Sequence, residues 1–457
     1  MHELNDPKVS AADPESRSRV LAPAWKRHGN NHEESPSSGF FWLSAFYFVY
    51  CARPQEVIPG VGWLPVAKLT GAFALLSLLL SLGKSPRKLS DLPREAFYLL
   101  ALIGTLLLSA VFSPVWRGGA FFVTLEFAKV SILWVLAFLL ITTLDRLRRI
   151  LFIQAISVAM VSAVALTKGY SVDRLDGVIG GIYSNPNDLA FAIVLSLPLA
   201  LALLLTSKTL LFKIAWAVGM VAMGMALIRT ASRAGFIDLV ISAAVCLWQF
   251  GIKGRRWHLI PATAAVGGVL LLIAGGTLRE RLGWTSADST SKQAETAEAS
   301  YEERKILIEK ALEAITRYPV LGIGAENFVV YSGLWLEVHA AYLQIAVEGG
   351  IPALILYLLF FRRGFVNLSN VRIANPGGEA EVFRGALLAS LIGFVVGAAF
   401  SPEAYHFFPY LAACCSSVLS AVVGASSAQA SAITARPWRR FGRHIPLSGD
   451  SEVGVAR

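Results

Sequence analysis

The sequence predicts an all-α, polytopic helical membrane protein of about twelve transmembrane helices, with one long polar loop between spans nine and ten. Three observations carry this. Of the 457 residues, 55% are hydrophobic and only 16% charged, whereas a soluble domain carries about 25% charged residues. The apolar residues fall into runs of about 18–22, enough to cross a hydrocarbon core of roughly 30 Å as helix. The runs are continuous rather than alternating, which fits helices and not barrel strands.

Taken in order, residues 1–39 are rich in Ser, Pro, Asn and charge and lack the apolar core of a signal peptide, so they are expected to form a disordered tail. Spans one to nine are expected within 40–275, at about 40–57, 64–82, 97–115, 121–141, 149–168, 187–206, 209–228, 234–251 and 258–275. Arg53-Pro54 interrupts the first. Spans ten to twelve follow within 340–423, at about 340–361, 385–401 and 406–423, and a basic tail occupies 424–457. The net charge of +10 could suggest a nucleic-acid partner. Its placement argues for topology instead, because basic residues at helix ends mark the cytoplasmic side. Most of the 41 Lys and Arg lie in the two tails and in every second connection. Both termini are then cytoplasmic, which requires an even number of spans. The opposite side carries the loops at 169–186, 229–233, 402–405 and 276–339.

The four cysteines (Cys51, Cys246, Cys414, Cys415) lie in or beside apolar runs without metal-ligand spacing and read as small core residues. No Walker, Asp-rich or HExxH pattern is present, and Gly322-Ile-Gly324 follows no strand, so it is a turn rather than a nucleotide fingerprint.

Within the long loop, 300–317 reads as an amphipathic helix stopped by Pro319. On a helical wheel Leu307, Ile308, Ala311, Leu312, Ala314 and Ile315 share a face, and Arg304 falls near its middle. Arg304 either snorkels past the first turn to solvent or holds an anion against the membrane domain. His339, at the outer end of span ten, is either a helix-end cap or a general base. Glu348 lies about 13 Å further along the same span at 1.5 Å per residue, where a carboxylate must be functional or paired. Arg233, in the run Arg229-Thr-Ala-Ser-Arg233-Ala-Gly235, is either a tolerated loop charge or an anion ligand. Tyr183-Ser-Asn-Pro-Asn-Asp-Leu-Ala190 is a turn followed by a helix start, with Asn187 or Asp188 able to cap. His406 is a second candidate base on the same side. Two arginines, a histidine and a deeper carboxylate imply an anionic lipid as ligand, and a lipid-linked phosphate fits best.

Three blocks resemble the O-antigen ligase family, which also includes Wzy-type O-antigen polymerases and bacterial O-oligosaccharyltransferases. They are Tyr183–Ala190, Thr230-Ala-Ser-Arg233-Ala-Gly235, and Arg304 followed by Tyr318-Pro-Val-Leu-Gly-Ile-Gly324, Asn327-Phe328 and His339-Ala-Ala-Tyr-Leu-Gln-Ile-Ala-Val-Glu348-Gly-Gly350-Ile-Pro352. The similarity covers roughly 170–360 in order. It departs at Ala340, where the family often has Asn, Ser or Gln.

The resemblance implies a metal-independent, inverting glycosyltransferase on the outer face of the bacterial inner membrane, with no cofactor. Its donor would be a glycan on a polyprenyl diphosphate, undecaprenyl being the expected lipid. The first expected acceptor is lipid A–core, with repeat-unit polymerisation or transfer to protein Ser/Thr as alternatives. Arg233 and Arg304 would stabilise the leaving diphosphate and His339 would deprotonate or orient the acceptor hydroxyl. Glu348, Arg174, Asn187 and Tyr342 would bind substrate or support the site. A lipid-linked glycan flippase is the alternative from a different class, and an inactive scaffold is a third reading.

Overall fold

The computed structural model describes residues 38–58, 65–81, 87–169, 174–175, 180–276, 278, 292–374 and 376–434. Among them every regular element is helical. The longer helices are α1 (Ser38–Ala52), α2 (Val66–Ser81), α3 (Arg94–Val111), α4 (Arg117–Leu140), α5 (Leu144–Lys168), α6 (Pro186–Thr206), α7 (Leu210–Arg229), α8 (Arg233–Cys246), α9 (Leu259–Ala274), α10 (Lys292–Arg317), α11 (Ala341–Ala374), α12 (Gly378–Gly397) and α13 (Phe407–Thr434). Twelve of them stand at the expected span positions, and α10 lies in the long loop. Nine, α3 to α8 and α11 to α13, are long and apolar enough to cross a membrane, α8 together with the π-helical stretch Leu247–Lys253 that continues it, so the chain is a polytopic helical membrane protein. The helices α1, α2 and α9 reach only 15, 16 and 16 residues. α1 stops where expected: Pro54 disfavours helical backbone in the residue before it, and Arg53 takes a left-handed φ of 45°.

The chain divides into a helical body over 34–423 and a second unit of 1–33 with 424–457. In the second unit the described residues are 424–434, all helical. The expectations for residues 1–37 and 435–457 lie outside the described residues, as does 279–291 of the long loop. Where a basic connection was expected over 362–384, α11 instead continues to Ala374 and α12 starts at Gly378. Buried Glu95 explains the extension. It accepts from Asn367 Nδ2 (2.6 Å) and Ser417 Oγ (2.6 Å) and pairs with Arg363 Nε (3.4 Å), so polar residues on this stretch of α11 find partners.

α6 is buried along most of its length and packs against α5, α7, α8 and α12. α3 packs on α4 and α11, and α1 on α2 and α5.

The feature that positions the site is a break in α11. Pro352 has no N–H, so the Glu348 carbonyl loses its helical donor. Gly350 adopts φ 77°, ψ 177°, a left-handed φ that glycine tolerates. A Cβ there would lie 2.3 Å from the Val320 carbonyl oxygen. The freed groups pair with the segment after α10. The Ile351 N–H donates to the Pro319 carbonyl (2.8 Å), the Ile323 N–H to Val347 (2.9 Å) and the Gly324 N–H to Glu348 (2.9 Å). Ser109 Oγ adds a second donor to the Glu348 carbonyl (2.6 Å). Asn327 Nδ2 donates to Ser113 Oγ, the Ile323 carbonyl and the Trp116 carbonyl. The segment after α10 is thus stitched by backbone and amide hydrogen bonds onto α11 and the connection between α3 and α4.

α10 packs on α11 through a narrow strip. Leu307, Ala311 and Ala314 are buried with Ile323, Phe328, Val338 and Val347. Burying Leu307 alone contributes about 1.5–3 kcal/mol. Ile308 and Leu312, expected on the packing face, are 43% and 51% exposed. α10 meets essentially one neighbouring helix, and one neighbour covers a single row of side chains rather than a wide face. Residue 304 continues the 307–311–314 row at spacings of three and four, so Arg304 is carried toward the membrane domain.

Candidate functional site

The turn from α7 to α8 presents Arg233. Thr230, Ala231 and Ser232 are all buried, and the turn satisfies its own polar groups. Thr230 Oγ1 donates to the Leu227 carbonyl (2.6 Å) and accepts from the Ser232 N–H (3.3 Å). Ser232 Oγ caps α8 by accepting from the Gly235 N–H (3.1 Å). A Cβ on Gly235 would lie 2.6 Å from the Ala190 Cβ, so the glycine lets α8 approach the start of α6. That approach sets Asn187 beside Arg233 and Ala234. The Thr230 carbonyl also accepts from Arg174 Nε (2.8 Å), which draws Arg174 onto the same corner.

His339 ends the long loop two residues before α11. Its Nδ1 lies 3.0 Å from the Glu337 carbonyl oxygen. A carbonyl can only accept, so Nδ1 carries the proton and Nε2 keeps its lone pair. The Ala341 N–H donates to the Ala398 carbonyl (2.7 Å), and this bond brings the connection after α12, with Phe400, to the start of α11.

These elements enclose a cavity of about 130 Å³ lined by Arg174, Asn187, Arg233, Ala234, Arg304, His339 and Phe400. It brings together Arg174, Asn187, Arg233, Arg304 and His339, all singled out in the sequence. Three guanidiniums face a half-enclosed space whose lining contains no carboxylate. Arg304 Nε is buried and has no hydrogen-bond partner among the described residues. Burial and then the Arg233 charge push the Arg304 guanidinium below its usual range, so the two cations oppose each other. Such a cavity attracts an anion and disfavours a cation. Burial, and then the charge of Arg304, hold the His339 imidazole below its ordinary value, against the opposing effects of the Glu337 carbonyl and Glu303. His339 is therefore neutral at neutral pH with Nε2 able to accept a proton.

The remaining candidates lie outside the cavity. Tyr342 OH donates to the Val395 carbonyl (2.6 Å), tying α11 to α12. Glu348 is buried and accepts from Tyr405 OH (2.6 Å); both its carbonyl and its carboxylate hold the broken helix in place. His406 does not line the cavity. It is partly buried, stacked on Phe408 with ring centroids 5.7 Å apart, and 3.8 Å from Glu403. Glu403 in turn is hydrogen-bonded to the Asp188 side chain and accepts from Ser401 Oγ (3.0 Å). This cluster braces the wall behind Asn187.

Phe400, 44% exposed, is the cavity residue that sequence reasoning missed. It follows Gly397-Ala-Ala in a connection without a motif, and only the Ala341–Ala398 hydrogen bond reveals its place. Ala340, where the family often has a polar side chain, is buried. The imidazole takes its orientation from the Glu337 carbonyl.

Fold and site define a multi-pass helical membrane protein with a cationic cavity and a neutral histidine at the ends of its helices. Residues 218–358 match the family model Wzy_C, described as O-antigen ligase, and over that stretch the chain is similar to that family. The match spans Arg233, Arg304 and His339; the Tyr183–Ala190 block lies outside it. No curated protein matches the chain. The family supports glycan transfer at a membrane.

Proposed function

We propose that the protein transfers a glycan from a polyprenyl-diphosphate donor, undecaprenyl in bacteria, to an acceptor hydroxyl on the outer face of the inner membrane. The observation that carries this reading is the shared cavity of Arg174, Arg233, Arg304 and His339. The acceptor oxygen attacks the anomeric carbon, the bond from that carbon to the phosphate oxygen breaks, and the diphosphate leaves with the electron pair. His339 Nε2 takes the hydroxyl proton. One further negative charge develops on the diphosphate as it leaves, and the arginines stabilise it without a metal. The donor is already activated, so no nucleotide is consumed. Attack from the face opposite the diphosphate inverts the anomeric centre.

The first acceptor to test is lipid A–core, with a growing glycan or protein Ser/Thr as the other outcomes. The basic connections and tails support a reading with both termini in the cytoplasm and the cavity in the periplasm. A cavity confined to one end of the helices favours a transferase over a flippase, which needs a cationic path through the bundle. Complementation of an O-antigen ligase deletion and of a polymerase deletion in parallel tests the reading. The protein restores one phenotype, and His339→Ala, Arg233→Ala and Arg304→Ala each abolish it. Full activity in all three variants overturns the mechanism, and glycan flipping without transfer overturns the class.

A further inference from the structure

A second space adjoins the cavity. A groove of about 400 Å³, lined by Arg174, Ser184, Asn185, Pro186 and Asn187, shares Arg174 and Asn187 with the enclosed cavity. The enclosed part is close in size to the roughly 150 Å³ cavity that admits a benzene ring, so it has room for a phosphate-sized group and not for a sugar as well. Whatever is covalently attached to a phosphate held there must continue outward.

Resting on the transferase reading above, we propose that this groove is the subsite for the phosphate-linked sugar of the donor. A lipid-linked glycosyl diphosphate leaves the phosphate site in two directions, one apolar and one rich in hydroxyls. The groove offers a hydroxyl, two carboxamides, a guanidinium and one proline ring. An isoprenoid would bury these polar groups without partners, whereas adjacent sugar hydroxyls match amides that both donate and accept.

The binding capacity lies in side chains, not in the start of α6. The Asn187 N–H is taken by Asn185 Oδ1 (2.9 Å). The Asp188 and Leu189 N–H groups donate to the Asn185 carbonyl (3.1 and 3.2 Å), and Pro186 has no N–H. Ser184 and Asn185 are exposed. Asn185 spends its oxygen on the cap, which leaves its Nδ2 as a donor without a partner among the described residues. The wall is held before any ligand arrives. Tyr183 is buried and its OH donates to the Cys51 carbonyl (2.7 Å), and the Arg53 guanidinium lies against Gly181 at φ 63°. A fixed polar wall loses little freedom on binding, which suits it to select one sugar over another.

The test uses the full-length protein in lipid nanodiscs and two synthetic probes, a polyprenyl diphosphate bearing one N-acetylhexosamine and the same lipid without sugar. Ser184→Ala and Asn185→Ser are compared with the parent; serine at 185 retains capping ability, so α6 keeps its start. The expected result is about tenfold weaker binding of the sugar-bearing probe, unchanged binding of the sugar-free probe, and an unchanged acceptor KM. Equal binding of the sugar-bearing probe by parent and variants overturns the inference, as does a rise in acceptor KM alone, which would assign the groove to the acceptor. Failure of the parent protein to bind the sugar-free probe would instead overturn the transferase reading, and the subsite with it.

Discussion

The Glu348 carbonyl accepts the Gly324 N–H at 2.9 Å, a bond between a membrane helix and its own long loop. It exists because Pro352 leaves that carbonyl without a helical donor. The loop that carries Arg304 and the helix that follows His339 are therefore one structural piece.

The junction should be intolerant of a side chain at 350. Gly350→Ala places a Cβ at φ 77°, 2.3 Å from the Val320 carbonyl oxygen. A destabilisation of at least about 1–3 kcal/mol is expected, read as a lower melting temperature of the detergent-solubilised protein. An unchanged melting temperature would mean that the break is not strained in this way.

Arg304 should be sensitive to shape as well as charge. Its Nε is buried without a partner, as expected of a fork that an anion completes. Arg304→Ala should lower transfer by about 10²–10³-fold, the usual cost of one oxyanion donor. Arg304→Lys should recover only part of that, because a point charge cannot reproduce a bidentate contact. Full recovery by lysine would reduce the role of Arg304 to charge alone.

The pH profile follows from the direction of the His339 shift. The base must be neutral, and its folded pKa lies below the ordinary histidine value. The acid limb of kcat/KM should therefore fall below about 6.5, with activity rising as pH rises through that limb. Arg304→Gln removes one of the two effects that lower it, so the limb should move toward higher pH in the residual activity. A limb that does not move would assign it to another group.

Glu403 gives an independent prediction about stability. Burial is the main cause that pushes its carboxyl up to about 7, while hydrogen bonds from Asp188 and Ser401 oppose the rise. An unfolded glutamate titrates near 4.3. Between those values the folded state binds more protons than the unfolded one, so stability falls as pH rises from about 4.3 to about 7. Thermal melts at pH 5, 6 and 7 should show this decline, and Glu403→Gln should make it shallower. An equal slope in the variant would place the titrating group elsewhere.

Much of the site was legible in the sequence because its chemistry is carried by charges in unusual places. Arg233 opposed the charge bias of its side, Arg304 sat on an apolar helical face, and His339 closed a loop. Distances between them were not legible, because they depend on the close approach at Gly235 and on the break at Gly350. Phe400 carried no signal, since its place follows from one backbone hydrogen bond. The wheel overstated the packing face of α10 because periodicity does not say how many neighbours a helix meets. It also gave no sign that α11 continues past Arg362, because the partner that permits this, Glu95, is more than two hundred residues away in sequence. Glu348 was recognised as paired or functional, but its partner Tyr405 could not be.

The most direct test of the central claim is single-turnover transfer by the purified protein in nanodiscs, with a defined polyprenyl-diphosphate glycan, a lipid A–core acceptor and excess EDTA. The account predicts that transfer continues in the chelator with inversion at the anomeric carbon. It also predicts that His339→Ala slows the transfer by about 10²–10⁴-fold while donor binding stays within a few-fold of the parent. Transfer abolished by EDTA, or proceeding at the parent rate in His339→Ala, would contradict it.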